Sequence, residues 1–311
     1  MSGSDSMRIY EFTALSDLWT GGVNSSNGKR TINTGLLGSI RWWYEVLARG
    51  LGGRACDPSN TKCNEKRHCV VCELFGCTGW ARKFRFQILD KEGNIQDAQI
   101  TKGKSFNFEF TPLRPIYTEE WALLTATLRL ISDFGAIGGK TVLKPSDQNN
   151  KSAHADYGLI KFVSNVNDNV SEERIREYVR NNAYLKPDQS EFDWASLDCF
   201  WFVHGKFLSR QSQHKSTYNR IIGRPEIKRD SAKNDSWIAG YNASHQKGPQ
   251  SKKVFSFSDP SRTYGFFSEK EGVTFEVVKE RLENVWDNSG WKMLVFDDIV
   301  RNLFCDKEPC V

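Results

Sequence analysis

The chain has 311 residues, 39% hydrophobic and 26% charged, with 43 Lys and Arg against 38 Asp and Glu for a net charge of +5. That length supplies packed cores for one large domain or two medium ones, and the composition excludes a disordered or fibrous chain. No apolar run reaches the roughly 20 residues of a membrane helix. The leader Met1–Met7 lacks the apolar stretch of a secretory signal, so a soluble, cytoplasmic protein is expected.

The charge is unevenly placed. Lys29–Arg85 holds 11 Lys and Arg against 4 Asp and Glu, Lys206–Lys253 holds 11 against 3, and the rest of the chain is acidic. Two basic segments in an acidic frame predict a surface for an anionic polymer; solvated lysine loops are the alternative.

In chain order, Ile9–Ser16 alternates as a strand and ends at the Gly21-Gly22 turn. Thr34 is expected to cap a helix whose stripe is Leu36, Leu37, Ile40, Trp43, Tyr44 and Leu47. A cysteine-rich insertion fills about 54–77. Lys83–Asp90 and Ser105–Phe110 alternate strictly and read as a strand pair. Thr118, Glu119 and Glu120 open a helix striped by Trp121, Leu124, Leu128 and Ile131, and Tyr157–Val163 reads as a last strand. The order β-α-β-β-α-β is that of the ferredoxin-like (RRM-like) fold. Beyond it the pattern predicts a helix over Ser171–Asn181, a buried strand over Asp198–His204, two short strands over Phe255–Phe267, and helices from Phe275 and over Trp291–Phe304. The expected class is therefore α+β, with two ferredoxin-like domains over 1–166 and 167–311, the second diverged and carrying long basic loops at about 205–253.

Five of the eight cysteines fall within Cys56–Cys77. Cys69-Val-Val-Cys72 has the spacing that lets two thiolates of one turn reach a tetrahedral ion, and Cys56 and Cys63 can supply the other pair. Soft thiolates in a closed four-coordinate site predict structural zinc; a disulfide or free buried thiols are the alternatives, and disulfides are disfavoured in a reducing compartment. Cys77 or His68 could substitute for a ligand.

Gly35-Leu-Leu-Gly38 places two glycines at a helix start beside Lys29 and Arg30, where a phosphate can approach free backbone N–H groups. Arg41, Glu45 and Arg49 share a face. Phe134–Thr141 has glycines and Lys140 but not the spacing of a nucleotide-binding phosphate loop. The histidines at 68, 154, 204, 214 and 245 are scattered, and no nucleophile or paired-carboxylate constellation is present.

Four segments, Leu18-Trp-Thr-Gly-Gly22, Gly35-Leu-Leu-Gly-Ser-Ile-Arg-Trp-Trp-Tyr44, Leu74-Phe-Gly-Cys-Thr78 and Phe134-Gly-Ala-Ile-Gly-Gly-Lys140, resemble in this order the RAMP proteins of type III CRISPR effectors. Within them the resemblance is closest to the first-subunit branch of the type III-B (Cmr) complexes, and it is specific over residues 16–141. It implies ferredoxin-like domains, glycine loops that grip RNA, a place near the 3′ end of a guide RNA, and contacts to the guide–target duplex and to neighbouring RAMP subunits. Those roles would fall on Lys29, Arg30, Arg41, Trp42, Gly138, Gly139, Lys140, Lys252 and Lys253; Gly38, Arg49, Lys83 and Arg85 of the first basic segment complete the candidate set. Two departures stand out. Cys77 occupies a position where serine is usual, which favours Cys56, Cys63, Cys69 and Cys72 as the ligands. Related subunits cut target RNA with an aspartate after the first strand, where this chain has Val23, Asn24 and Ser25, with Asp17 ahead of the turn.

The sequence thus reads as a non-catalytic subunit that binds guide and target RNA within a type III CRISPR ribonucleoprotein. The rivals are a RAMP endoribonuclease, acting through Asp17 or His154, and a purely structural assembly subunit.

Overall fold

The computed structural model describes residues 3–4, 6–20, 31–57, 62–141, 155–166, 168–209, 216–223, 237–241, 250–286 and 290–304. The chain forms two compact units, each built from separate stretches. One comprises Met1–Gly139, Tyr157–Asp198 and Phe296–Val311; the other comprises Lys140–Asp156 and Cys199–Val295. Contacts thus cut the chain differently from a division at residue 166.

In the first unit, strands β1 (Gly3–Ser4) and β2 (Arg8–Ala14) precede helices α1 (Asn33–Gly50) and α2 (Val70–Phe75). Then come β3 (Phe84–Leu89), β4 (Ser105–Pro112), β5 (Ile116–Tyr117), α3 (Thr118–Phe134), β6 (Ile160–Phe162) and α4 (Glu172–Arg180). The main sheet is antiparallel in the order β3-β4-β2-β6, while β1 and β5 form a separate pair. In the second unit β7 (Phe200–His204), α5 (Thr217–Ile221), β8 (Val254–Ser258), β9 (Ser261–Phe266), α6 (Phe275–Glu283) and β10 (Met293–Leu294) form an antiparallel sheet in the order β10-β7-β9-β8. The last helix, α7 (Phe296–Phe304), belongs to the first unit. Both units therefore run β-α-β-β-α-β with the first and third strands of the set at the centre of the sheet, the split arrangement of ferredoxin-like folds.

The period of two decides which side chains enter the core. Tyr10 and Phe12 on β2, Phe84 and Phe86 on β3, and Phe106, Phe108 and Phe110 on β4 are all buried. They pack ring on ring, Phe12 lying 5.6 Å from Phe106 and 4.8 Å from Phe108. The other face of these strands carries Ile9, Glu11, Thr13, Arg85, Gln87, Asn107 and Glu109. No aromatic residue of β2, β3 or β4 lies there, and Phe162 of β6 packs edge-on against the buried Phe12 at 5.2 Å, so the outer face of this sheet offers no ring on which an RNA base could stack.

Three elements differ from the sequence pattern. Helix α1 starts one residue before Thr34, so Thr34 lies inside the first turn and no side chain caps it; Ile32, which precedes the helix, is held by its N–H donating to Thr20 Oγ1 at 2.9 Å. Within the insertion, α2 forms because Val70, Val71, Leu74 and Phe75 are all buried. The helix expected over 291–304 begins only at Phe296, because Met293 and Leu294 pair with Val203 and Phe202 of β7.

One ion cluster joins α2, β3 and α3. Lys83 Nζ donates to both Glu120 oxygens at 2.9 Å and lies 2.5 Å from Glu73 Oε1, with Glu120 wholly buried. Burial pushes the Glu120 carboxyl above its ordinary pKa. Burial acts the same way on Glu73, but hydrogen bonds from Lys83 and His68 outweigh it and hold Glu73 below the usual range. Lys83→Met leaves the wholly buried Glu120 without its cation and should cost about 3–5 kcal/mol in urea-monitored unfolding; adding Glu120→Gln should recover part of that loss.

Candidate nucleic-acid interface and metal centre

Three of the segments picked out in the sequence converge where α1 begins. Gly139 N donates to the Trp19 carbonyl at 2.7 Å, Gly138 N donates to Ser39 Oγ at 3.1 Å, and Trp43 Nε1 donates to the Ala136 carbonyl at 2.9 Å. Trp19 explains both glycines. A Cβ on Gly138, whose φ is +84°, would lie 2.6 Å from the Trp19 carbonyl oxygen, and one on Gly139 would lie 2.5 Å from Trp19 Cε3. These glycines let the loop close on Trp19 rather than leaving it open to a ligand.

Gly38 behaves otherwise. It is exposed on α1, and a Cβ there would meet nothing within 4 Å among the described residues. Thr34 and Gly35 are exposed nearby, and no acidic residue occupies the first turn of α1. Trp42, one turn beyond Gly38, is half-buried and meets the Trp43 ring edge-on at 4.9 Å. Lys140 follows the glycine loop, exposed and with φ of +60°.

At the other end of α1 the insertion folds into a sulfur cluster. Cys56, Cys63, Cys69 and Cys72 are all buried, with their Sγ atoms within 4.8 Å of one another. Cys56 Sγ lies 3.4 Å from Cys72 Sγ and 3.8 Å from Cys69 Sγ. A disulfide needs about 2.05 Å, whereas four sulfurs at about 2.3 Å from a tetrahedral ion stand about 3.8 Å apart. The cluster can therefore hold a metal ion. Helix α2 supplies Cys72 and starts directly after Cys69, which places the Cys-x-x-Cys pair in one turn. Hydrogen bonding with Cys56 brings the Cys69 thiol down to about 7. Cys77, half-buried, turns its sulfur to the Thr78 carbonyl and lies outside the cluster. His68 binds Glu73 at 2.5 Å and stacks on Trp80.

The remaining candidate residues are dispersed. Arg41 donates to the Glu45 carboxylate, to the Gly76 carbonyl at 2.9 Å and to Cys72 Sγ at 3.3 Å. Arg49 is buried, donating to the Ala195 carbonyl at 2.9 Å, and so belongs to the interior with Lys83. Arg85 is exposed on the outer face of β3. In the second unit Lys252 is half-buried, while Lys253 is buried with Nζ donating to Gln250 Oε1 and the Ser251 carbonyl and lying 4.8 Å from the Trp237 ring. Lys29, Arg30, His154, His214, His245 and most of 206–253 lie outside the described residues. Asp17 Oδ1 accepts from Lys102 N at 2.8 Å. The burial of Arg49 and Lys83 was not legible in sequence, where their partners stand far off along the chain.

The family model described as the RAMP superfamily matches residues 11–143. Cmr1 from Pyrococcus furiosus is similar in structure at 13% identity and a TM-score of 0.46, over 93% of this chain and 98% of that one. A chain of a type III-B Cmr-beta complex bound to cognate target RNA is similar at 10% identity and a TM-score of 0.47, over 90% and 98%. A chain of a Csm3–Csm4 subcomplex of the type III-A CRISPR-Cas interference complex matches at 17% identity and a TM-score of 0.28, over 50% and 74%. No curated protein sequence matches this chain. Among the described residues no helix is long and apolar enough to cross a membrane.

Burial lowers the Lys253 ammonium to about 8 from its ordinary 10.5. Between those values the unfolded chain binds a proton that the folded chain does not, so this lysine makes stability rise with pH across the window. Unfolding midpoints measured from pH 8 to pH 10.5 should climb more steeply in the wild type than in Lys253→Met; parallel curves would show that Lys253 is charged in the fold throughout.

Proposed function

Because the RAMP superfamily model matches residues 11–143, we propose that this chain is a non-catalytic RNA-binding subunit of a type III CRISPR ribonucleoprotein. It holds the 3′ region of the guide RNA and the guide–target duplex beside other RAMP subunits, in the cytoplasm. The observation that carries this reading is Gly38. A glycine inside a helix costs about 1 kcal/mol relative to alanine, and among the described residues no neighbour needs the space its side chain would fill. A stretch of helix backbone with that cost, and no packing reason among the described residues, is suited to close approach by a ligand. The positive end of the α1 dipole and the absence of acid from its first turn favour a phosphate. Trp42 supplies a ring one turn from Gly38.

On this reading the metal of the four cysteines is zinc, chosen by soft ligands in a closed site. Its work is structural: it contributes folding energy to an insertion whose stretch from Asp57 to His68 has almost no apolar residues. The enzyme rival gains nothing from Asp17, whose carboxylate is engaged by the 102 backbone.

The test is binding of a fluorescent guide RNA of the host to the full chain, by anisotropy at several salt concentrations. Affinity should fall steeply with salt. Gly38→Ala should weaken it at least about fivefold, roughly 1 kcal/mol, without lowering the unfolding midpoint. Unchanged affinity in Gly38→Ala would remove the central support. The purified protein should carry about one equivalent of zinc, and less than half of that would contradict the metal assignment.

A further inference from the structure

The first basic segment contains a guanidinium that its charge alone assigns to phosphate, and the geometry directs it elsewhere. Arg41 has a planar fork of donors, and each edge is engaged within the unit: Nε with Glu45 Oε1 at 3.0 Å, Nη1 with the Gly76 carbonyl at 2.9 Å, and Nη2 with Cys72 Sγ at 3.3 Å. Its side chain is 19% exposed. Two turns along α1, Arg49 Nη2 reaches the Ala55 carbonyl at 3.5 Å and lies 3.7 Å from Glu45 Oε2. Glu45 therefore sits between two arginines. Those arginines hold the backbone at both margins of the insertion, Ala55 directly before Cys56 and Gly76 directly after α2.

The charges explain why. Four thiolates around a divalent ion leave two negative charges in a buried site, and Glu45 adds a third. Buried charge without partners is costly, and the arginines at 41 and 49 are the cations that the described structure places against this group. Resting on the zinc reading above, we infer that Arg41 is a positioning residue of the metal centre: it donates to a ligand sulfur, offsets the thiolate charge and ties the centre to the turn after α2. An arginine is required rather than a lysine, because a point charge cannot address sulfur, carboxylate and carbonyl at once.

The test uses the full chain with cobalt(II) in place of zinc, and zinc transfer from the native protein to a colorimetric chelator. A hydrogen bond to a thiolate stabilises the sulfur lone pairs, so removing it should move the sulfur-to-cobalt charge-transfer band to lower energy. Arg41→Gln and Arg41→Ala should both show that shift and release zinc about 10- to 100-fold faster than wild type, the usual range for a lost partner of a metal ligand. Arg41→Lys retains charge and bulk and should fall between them, so the comparison stands even if the alanine variant does not fold. A band position and release rate in Arg41→Gln within about twofold of wild type would overturn the role of Arg41 while leaving zinc in place. A wild-type protein with no sulfur-to-cobalt band would overturn the zinc reading itself, and the role of Arg41 with it.

Discussion

The burial of the C-terminal half of α1 is the constraint on which the rest of the first unit depends. Every residue from Trp43 to Gly50 is buried, Glu45 and Arg49 included. A carboxylate and a guanidinium cannot be buried unpaired without a cost of several kcal/mol. The structure meets that demand by setting Glu45 between Arg41 and Arg49 and by packing the sulfur cluster and the 195–198 segment against the same part of the helix. The N-terminal half is in the opposite position, with Thr34, Gly35 and Gly38 exposed. One helix is thus anchored at one end and offered at the other, and the anchored end fixes the direction in which the free end points.

The glycine loop makes the same point from its other side. Gly138 and Gly139 look in sequence like residues kept small for a ligand, yet Trp19 occupies the space beside both. The loop is a clasp that joins the segment after β2 to the start of α1. Ser39 and Trp43 complete it through Gly138 and Ala136. RNA contact, on the proposed reading, takes place on the surface this clasp supports. Because the strand aromatics face the core, that surface lies on the helix and its adjoining loop rather than on the sheet.

Much of this was legible in the amino-acid order. Strict alternation in Lys83–Asp90 and Ser105–Phe110 announced β3 and β4 because one face of the sheet is buried and the other is not. The spacing of Cys56, Cys63, Cys69 and Cys72 likewise announced the cluster, since two thiolates of one turn can address one ion. What stayed hidden depends on partners distant in the chain. Lys83 looks like a surface lysine until Glu120 is brought to it across 37 positions. Arg49 looks like the outward edge of an amphipathic helix until Ala195 meets it. Helix α2 is too short for a period to be read, and its apolar residues are buried by a fold organised around sulfur. In the second unit β7 and β9 are buried on both faces, which erases alternation and leaves only apolar runs.

The central claim, that this chain is built to hold guide RNA, is tested most directly by purifying the protein from its native host and sequencing the RNA that nuclease treatment leaves bound. The account predicts short RNAs of uniform 3′ boundary derived from CRISPR repeats and spacers, recovered with other RAMP subunits. Recovery of no RNA, or of fragments mirroring total cellular RNA, would contradict it.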